Sequence, residues 1–179
     1  MEFKDVLNFW FKELTPKQWF AKSLEIDQEI KNRFSSLHLK ASRGELSHWR
    51  NSAEGRLAEI IVLDQFSRNI HRDSKRAFQS DELALTLAQE MVEQGLDKNL
   101  PTNMRVFIYM PYMHSENLAV HQMALELFSH QGMEKNLDYE KKHRSILEEF
   151  GRYPHRNRVL GRKSTKAEVE FLKGPDSSF

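Results

Sequence analysis

The 179-residue sequence contains no cysteine. This absence excludes disulfide bonds, thiol nucleophiles and thiolate metal sites. No glycine pattern of the phosphate-binding or dinucleotide-binding kind occurs either. The N-terminus lacks the basic start and apolar run of a signal peptide, and no apolar run approaches the roughly 18 residues of a membrane helix. We therefore expect a soluble, cytoplasmic protein without a membrane partner.

The sequence also lacks an excess of charge of either sign, with 27 basic and 26 acidic residues. A balanced chain has no global field that attracts nucleic acid, so we do not expect nucleic acid as the partner. The length suits one domain. We predict a single all-helical domain over residues 1–179, with N-terminal helices in 1–50. Residues 51–179 should pack as one unit containing the central helix, a kinked helix pair and a C-terminal basic loop.

Helical periodicity runs through the whole chain, whereas alternating strand patterns and hairpin turns are missing. The spacing predicts an all-α fold of about seven or eight helices in antiparallel pairs, as a solenoid-like array or a bundle. A capping box at Thr15 and Gln18 predicts a helix start, and the apolar spacing extends that helix to about Leu39. Asn51, followed by Glu54, predicts the start of the central helix.

The central stretch, residues 57–70, is apolar on nearly every side except at Asp64 and Arg68. These two charges are four residues apart and project from the apolar stripe of the helix. Burying them costs several kcal/mol each unless they are paired and hydrogen-bonded. The sequence therefore predicts that both are largely buried. They form either a structural ion pair that ties helices together or a charged site with apolar walls.

A proline interrupts the helical pattern of residues 102–116. It predicts that the helix ends or kinks at Pro111 and that the next helix begins at Ser115 or Glu116. A helix N-terminus favours anions and lowers the pKa of a nearby histidine, so His114 and Glu116 are candidate site residues. The alternative is that Ser115 and Glu116 are ordinary capping residues.

Two further candidates lie towards the C-terminus. His143 stands among charged residues, where a histidine is either a surface residue or part of a site. The segment 141–166 contains nine lysine or arginine residues and two acidic ones. Its arginines suit carboxylate or phosphate, although a basic surface loop is the alternative. We predict that the loop 151–162 folds back, so that Arg152, His155 or Arg156 faces the region of Asp64 and His114.

Metal and cofactor signatures are missing from the sequence. His114, Glu116, His143 and His155 are the conceivable ligands, but no HExxH pattern or other tight ligand spacing supports them, so we expect no metal site. No serine-hydrolase elbow occurs. The sequence identifies no cofactor.

Several motifs in this sequence resemble those of a known family and are distributed over essentially the whole chain. They are Leu63-Asp64-Gln65-Phe66-x-Arg68-Asn69, Arg76-Ala77-Phe78 with Asp81 and Ala84, Tyr109-Met110-Pro111-x-x-His114-Ser115-Glu116, and Phe150-Gly151-Arg152-Tyr153-Pro154-His155-Arg156-Asn157. With the aromatic residues near the N-terminus, they resemble the domain-of-unknown-function-924 family. The resemblance implies a tetratricopeptide-like helical fold in a mostly bacterial family with no established activity. It predicts the fold but does not specify the function.

Two functions from different classes fit these residues. In the first, they converge in one polar pocket that binds or acts on a small phosphate or carboxylate compound. The predicted catalytic residues are His114, Glu116, His143 and Asp64, and the predicted ligand-binding residues are Gln65, Arg68, Asn69, Tyr109, Arg152, His155, Arg156 and Asn157. In the second, a tetratricopeptide-like scaffold binds an acidic peptide or a partner protein. Charges within an apolar stripe favour the enclosed pocket, and the reaction class stays open.

Overall fold

The computed structural model describes residues 1–175 and residue 177. Helices account for 75% of the described residues, which include no β-strand, and this confirms the all-α prediction. Within this part of the chain the α-helices, α1 to α11, are Phe3–Asn8, Pro16–Trp19, Leu24–Ser42, Ala53–Ile61, Ser67–Ile70, Asp81–Glu93, Thr102–His114, Leu118–Phe128, Glu134–Phe150, Asn157–Leu160 and Lys166–Phe171. Among the described residues, no helix combines the length and the apolar character needed to cross a membrane. The tetratricopeptide-like arrangement and the cytoplasmic location stay predictions.

Shorter helical turns connect or extend these helices. The 3₁₀ turns are Ser47–Asn51, Lys75–Phe78, Leu96–Asn99 and Pro154–Arg156. Helix α1 continues into a π-helical turn, Phe9–Glu13, and α4 continues through another, Val62–Phe66, into α5. The central stretch is therefore one continuous helix over residues 53–70. Its π-helical turn contains Asp64, and such turns occur frequently at functional sites.

The chain divides into two compact units. The first comprises Met1–Arg72 with Arg76–Pro111, and the second comprises Asp73–Lys75 with Tyr112–Phe179. The prediction of a single domain over residues 1–179 stays a prediction. The predicted site residues are divided between the two units, so each unit has its own polar network.

Aromatic rings form the core of the first unit. The ring of Phe34 lies 5.1 Å from that of Phe9 and 4.8 Å from that of Phe66, and Trp10 lies 5.5 Å from Phe107. All five side chains are buried. Burial of each such side chain stabilises the fold by about 1.5–3 kcal/mol. This core fixes the central helix, since α4 contacts α1 and α6 while α5 contacts α3.

The second unit is built on the contact between α8 and α9. Tyr153 is buried with Ile146 and Leu147 of α9, and Phe150 and Phe171 pack against them. Tyr153 immediately precedes the 3₁₀ turn of the basic loop. The loop is therefore anchored to α9 by one aromatic side chain, although it has no periodic apolar face.

The sequence predicted that the helix ends or kinks at Pro111. The predicted end is wrong, and the kink stays a prediction. Helix α7 includes Pro111 and continues to His114. Proline removes one N–H, so only the hydrogen bond to the carbonyl of Phe107 is lost. With three further residues to its end, the helix tolerates this single missing bond.

The predicted start of the next helix at Ser115 or Glu116 is also wrong. Helix α8 begins at Leu118, and its cap is Asn117, whose Oδ1 accepts the N–H of Ala119 at 2.9 Å. Asparagine caps as well as serine does. The carboxylate of Glu116 is therefore left for another partner.

The N-terminal boundaries differ from the prediction as well. The capping box at Thr15 and Gln18 is confirmed, but α2 ends at Trp19 and a new helix begins at Leu24. The Ser23 side chain caps this second helix. Apolar spacing continues across the break, which is why the sequence suggested one long helix. Helix α4 is likewise capped by Ser52 rather than by Asn51.

Candidate functional site

Asp64 is fully buried in the central helix, as Glu59 is, and has no exposed surface. Its carboxylate lies 3.1 Å from the Arg68 guanidinium and accepts a hydrogen bond from Gln65 at 2.5 Å. Arg68 also donates to the backbone carbonyl of Asp64 at 2.7 Å. The prediction of burial and hydrogen bonding is confirmed for Asp64. The Arg68 side chain is 21% exposed and hydrogen-bonded.

The residues after Asp64 bind neighbouring helices of the first unit. Arg68 makes a two-pronged contact with Asp81 in the first turn of α6, at 3.0 and 3.1 Å. Asn69 donates to Asp27 of α3 at 2.8 Å, and Arg72 holds the same carboxylate. These contacts tie the central helix to α3 and α6. Roles of Gln65, Arg68 and Asn69 in ligand binding stay predictions.

A buried histidine that the sequence did not single out also contacts the central helix. The Ser67 hydroxyl donates to the carbonyl of Leu63, so it accepts a hydrogen bond from His38 Nε2 at 2.7 Å. Burial lowers the pKa of His38 to about 4, and nearby positive groups at His71 and Arg76 add to the effect. Ser67 has no exposed surface and its proton is engaged, so this pair is not a nucleophile and its base.

Tyr109 lies in α7 and is fully buried. Its hydroxyl donates to Asp97 at 2.6 Å. Burial and this carboxylate raise the pKa of Tyr109 above its ordinary value, so the phenol stays protonated at neutral pH. The predicted ligand-binding role of Tyr109 stays a prediction.

Glu116 binds the basic loop of the second unit instead of capping α8. Its carboxylate accepts hydrogen bonds from Arg162 at 2.7 and 2.9 Å and from the N–H of Tyr153 at 2.7 Å. Burial opposes ionisation, but these donors outweigh it and hold the pKa of Glu116 below its ordinary value. At neutral pH Glu116 is therefore an ionised acceptor and a poor proton donor.

Arg152 has its own acceptors just beyond the loop, at Lys163 and in α11. Its guanidinium donates to Glu168 at 2.6 and 2.9 Å and to the carbonyl of Lys163 at 3.0 Å. The contact with Arg152 is the main reason that the pKa of Glu168 falls to about 2. Glu168 also completes a capping box with Thr165. The sequence reasoning missed this ion pair because Glu168 lies just outside the segment 141–166.

Asn157 is held inside the same loop. Its side chain donates to the Ser164 hydroxyl at 3.0 Å and accepts from Arg162 at 2.9 Å. It is 1% exposed. Asn157 therefore braces the loop, and its predicted contact with a ligand stays a prediction.

Imidazoles surround the buried ring of Tyr153. The four residues that we call the histidine cluster are His114, His121, His143 and His155. The ring of His155 stacks on Tyr153 at 5.6 Å, and His143 and His121 meet it edge-on at 5.6 and 6.5 Å. The Arg156 guanidinium lies over the same phenol ring, 4.7 Å from the ring centre. It also donates a hydrogen bond to the backbone carbonyl of His114 at 3.0 Å. The loop thus reaches His114, while its predicted approach to Asp64 stays a prediction.

His143 is buried and neutral. Burial lowers its pKa to about 3, and the three other members of the histidine cluster further disfavour its protonation. Nδ1 lies 2.8 Å from the carbonyl of Tyr139. A carbonyl only accepts, so the proton is on Nδ1 and the lone pair on Nε2. His143 is therefore not the surface residue that its charged sequence neighbours allowed.

His121 and Glu140 form a fully buried pair that the sequence reasoning did not identify. His121 Nδ1 lies 2.6 Å from Glu140, and Nε2 lies 2.8 Å from the carbonyl of Ser115. A carbonyl only accepts, so Nε2 must carry a proton. A second proton lies between Nδ1 and the carboxyl group of Glu140, which share it. Burial raises the pKa of Glu140 above its ordinary value, opposed by His121. Glu140 lies one helical turn before His143, a spacing that puts both on one face of α9.

Substitution of Glu140 tests this assignment. A glutamine can donate its amide N–H to Nδ1 while Nε2 still donates to Ser115, so Glu140→Gln should leave the free energy of unfolding close to the wild-type value. Glu140→Ala leaves Nδ1 buried without a partner and should cost roughly 1–3 kcal/mol. Urea unfolding at neutral pH measures both. Equal losses for the two variants would contradict the shared-proton arrangement.

Within each unit the structure brings some of the predicted residues together. The first unit brings together Asp64, Gln65 and Arg68, with Asn69 one turn along. The second brings together His114, Glu116, His143, His155 and Arg156. Among residues 1–175 and 177, no three histidine, aspartate or glutamate side chains are grouped as metal ligands would be.

Fold and site define an all-α protein with buried ionic networks and a histidine-rich cluster. The sequence profile described as "Bacterial protein of unknown function (DUF924)" matches residues 6–176. The chain therefore belongs to this family, as its motifs indicated. A solved structure of the protein of unknown function ATU0120 from Agrobacterium tumefaciens superposes with a TM-score of 0.91 at 38% identity, covering 96% of this chain and 97% of that one. No curated protein matches this chain.

Proposed function

We propose that the second unit binds a small anion carrying a phosphate or carboxylate group at the histidine cluster and Arg156. The observation that supports this most is the set of basic groups around Tyr153. The imidazoles of His121, His143 and His155 and the guanidinium of Arg156 contact its ring. The carboxylate of Glu116 is bound to Arg162, and that of Glu140 is bound to His121.

Arg156, His114 and His155 are the groups that we expect to touch the anion. Arg156 is held in place by the Tyr153 ring and the carbonyl of His114, so little side-chain entropy is lost on binding. A planar guanidinium suits two oxygens of a phosphate or carboxylate. His114 and His155 are half-buried, whereas Arg156, His121 and His143 are buried. His121 and His143 position their neighbours.

The other predicted site residues take supporting roles in this proposal. Arg152, Glu116 and Asn157 hold the loop in shape through contacts with Glu168, Arg162 and Ser164. These residues do not point to a particular reaction. At neutral pH the ionised Glu116 is a poor general acid, and His143, whose pKa is lowered, is a weak general base. Binding is the function that the chemistry of the cluster supports best.

Thermal unfolding in phosphate tests the proposal. At a concentration about tenfold above Kd, a ligand that binds only the folded state stabilises it by roughly 1.4 kcal/mol. For a chain of this length the melting temperature should rise by roughly 3–6 °C. Chloride at the same ionic strength is the reference, since it separates specific binding from screening.

Two arginine variants make this experiment specific. Arg156→Gln should abolish most of the phosphate-dependent rise. Arg158→Gln, at a side chain two residues further along the loop that is 79% exposed, is the matched control and should keep it. The proposal fails if phosphate does no more than chloride, or if the two variants lose the rise equally.

A further inference from the structure

A cleft in the first unit combines apolar and acidic walls. It encloses about 330 Å³, and the side chains that line it include Phe9, Leu14, Ile26, Glu13, Glu25 and Glu29. No lysine or arginine is among the described residues that line it. We call it the N-terminal cleft.

Two large apolar side chains lie exposed next to the N-terminal cleft. Phe20 is 60% exposed and Leu24 is 83% exposed, and each is adjacent in sequence to a residue of the lining. Phe20 is held in position, because its ring stacks on Phe107 with 10° between the planes at 6.1 Å. Exposed apolar surface at the edge of a cleft is typical of an interaction site.

The acidic side chains of the cleft are not fully neutralised. Arg33 pairs with Glu13 at 2.5 Å and with Glu29 at 2.9 Å. Glu25 has no cationic partner among the described residues. The lining itself therefore contains three glutamates, two of them paired with Arg33, and no lysine or arginine. We expect a partner that brings a positive charge to Glu25 together with apolar side chains.

We infer that the N-terminal cleft docks a basic, apolar segment of a partner protein. One apolar side chain of the segment enters the cleft, a second covers Leu24 and Phe20, and a lysine or arginine meets Glu25. The volume is at the lower end of the roughly 300–1,000 Å³ of small-molecule sites. A small ligand inside the cleft would leave Leu24 uncovered, whereas a peptide fills the cleft and covers Leu24 as well. The proposed segment is basic, whereas the sequence analysis expected an acidic peptide that binds the arginines of the second unit.

Fluorescence polarisation with labelled peptides tests this inference on the full chain. The probe is a short fluorescein-labelled peptide that alternates leucine and lysine. Matched peptides alternate leucine with glutamate, or serine with lysine. Only the leucine–lysine peptide should bind. Its affinity should fall as salt is raised, since exposed charges are screened.

Substitutions locate the binding surface. Leu24→Ser should weaken the leucine–lysine peptide about tenfold, and Glu25→Lys should weaken it about fivefold. The matched controls are Leu39→Ser, at another exposed leucine of α3, and Glu82→Lys, at an exposed glutamate in the first turn of α6. Both controls should bind as the wild type does, and circular dichroism checks that all four variants are folded.

Each other outcome overturns the proposal. Binding of the leucine–glutamate peptide, or no binding of any peptide, contradicts the charge argument. Equal losses of peptide affinity in the variants and in their controls would show that the peptide binds elsewhere on the protein. Hexylamine competing as well as the peptide identifies a small cation as the occupant. A dimer in sedimentation that Leu24→Ser dissociates identifies a second copy of this chain.

Discussion

Replacing Arg68 with alanine is expected to lower the free energy of unfolding by about 3–5 kcal/mol. The carboxylate of Asp64 has no exposed surface, so it cannot exchange a lost protein partner for bulk water. The same change removes both hydrogen bonds to Asp81. Guanidinium chloride or urea unfolding of the two proteins at neutral pH measures the difference.

A second ion pair with the same helical spacing provides the control. Arg144 and Glu148 are also four residues apart, but the Glu148 side chain is 51% exposed. Arg144→Ala should cost less than about 1 kcal/mol. A loss from Arg68→Ala as small as that from Arg144→Ala would show that the Asp64 network contributes little to folding.

Lowering the pH should destabilise the protein at pH values well above those at which carboxylates ordinarily titrate. The pKa values of folded His38 and His143 are about 4 and about 3, below the unfolded value of about 6.5. The unfolded chain therefore binds more protons as pH falls below about 6.5, and stability is lost down to the folded pKa values. Above about 6.5 both residues are neutral in both states and contribute nothing to the slope. Each contributes up to roughly 1.4 kcal/mol per pH unit within its window.

Urea unfolding between pH 7 and pH 5 checks this pH dependence. His143→Gln removes one titrating group, so its stability should fall less steeply than that of the wild type by up to roughly 1.4 kcal/mol per pH unit. Parallel slopes in His143→Gln and the wild type would mean that folded His143 takes up protons as readily as the unfolded chain does.

Local signals in the sequence were predictable because their partners lie within one turn. The capping boxes at Thr15 and Thr165 depend on residues three positions away, and both are present. Burial of Asp64 followed from the apolar residues on each side of it. The π-helical turn around Asp64 was not predictable, since adding one residue to a turn leaves no fixed mark on the apolar pattern.

Long-range partners were not predictable from one sequence. Counting charge identified the loop 151–162 as basic, but it did not reveal that Arg162 holds Glu116 and that Arg152 holds Glu168. These pairs depend on how the loop returns to the helices. The His121–Glu140 pair likewise depends on the register between α8 and α9, which the apolar spacing of each helix leaves undetermined.

Histidine side-chain NMR in phosphate tests anion binding at the cluster most directly. With ¹⁵N-labelled protein at constant pH and ionic strength, the imidazole signals of His114 and His155 should shift and saturate as phosphate is added. The signal of the exposed His130 should stay in place, and Arg156→Gln should remove the saturable shifts. Signals of His114 and His155 that do not respond, or that drift linearly together with His130, would contradict the proposed site.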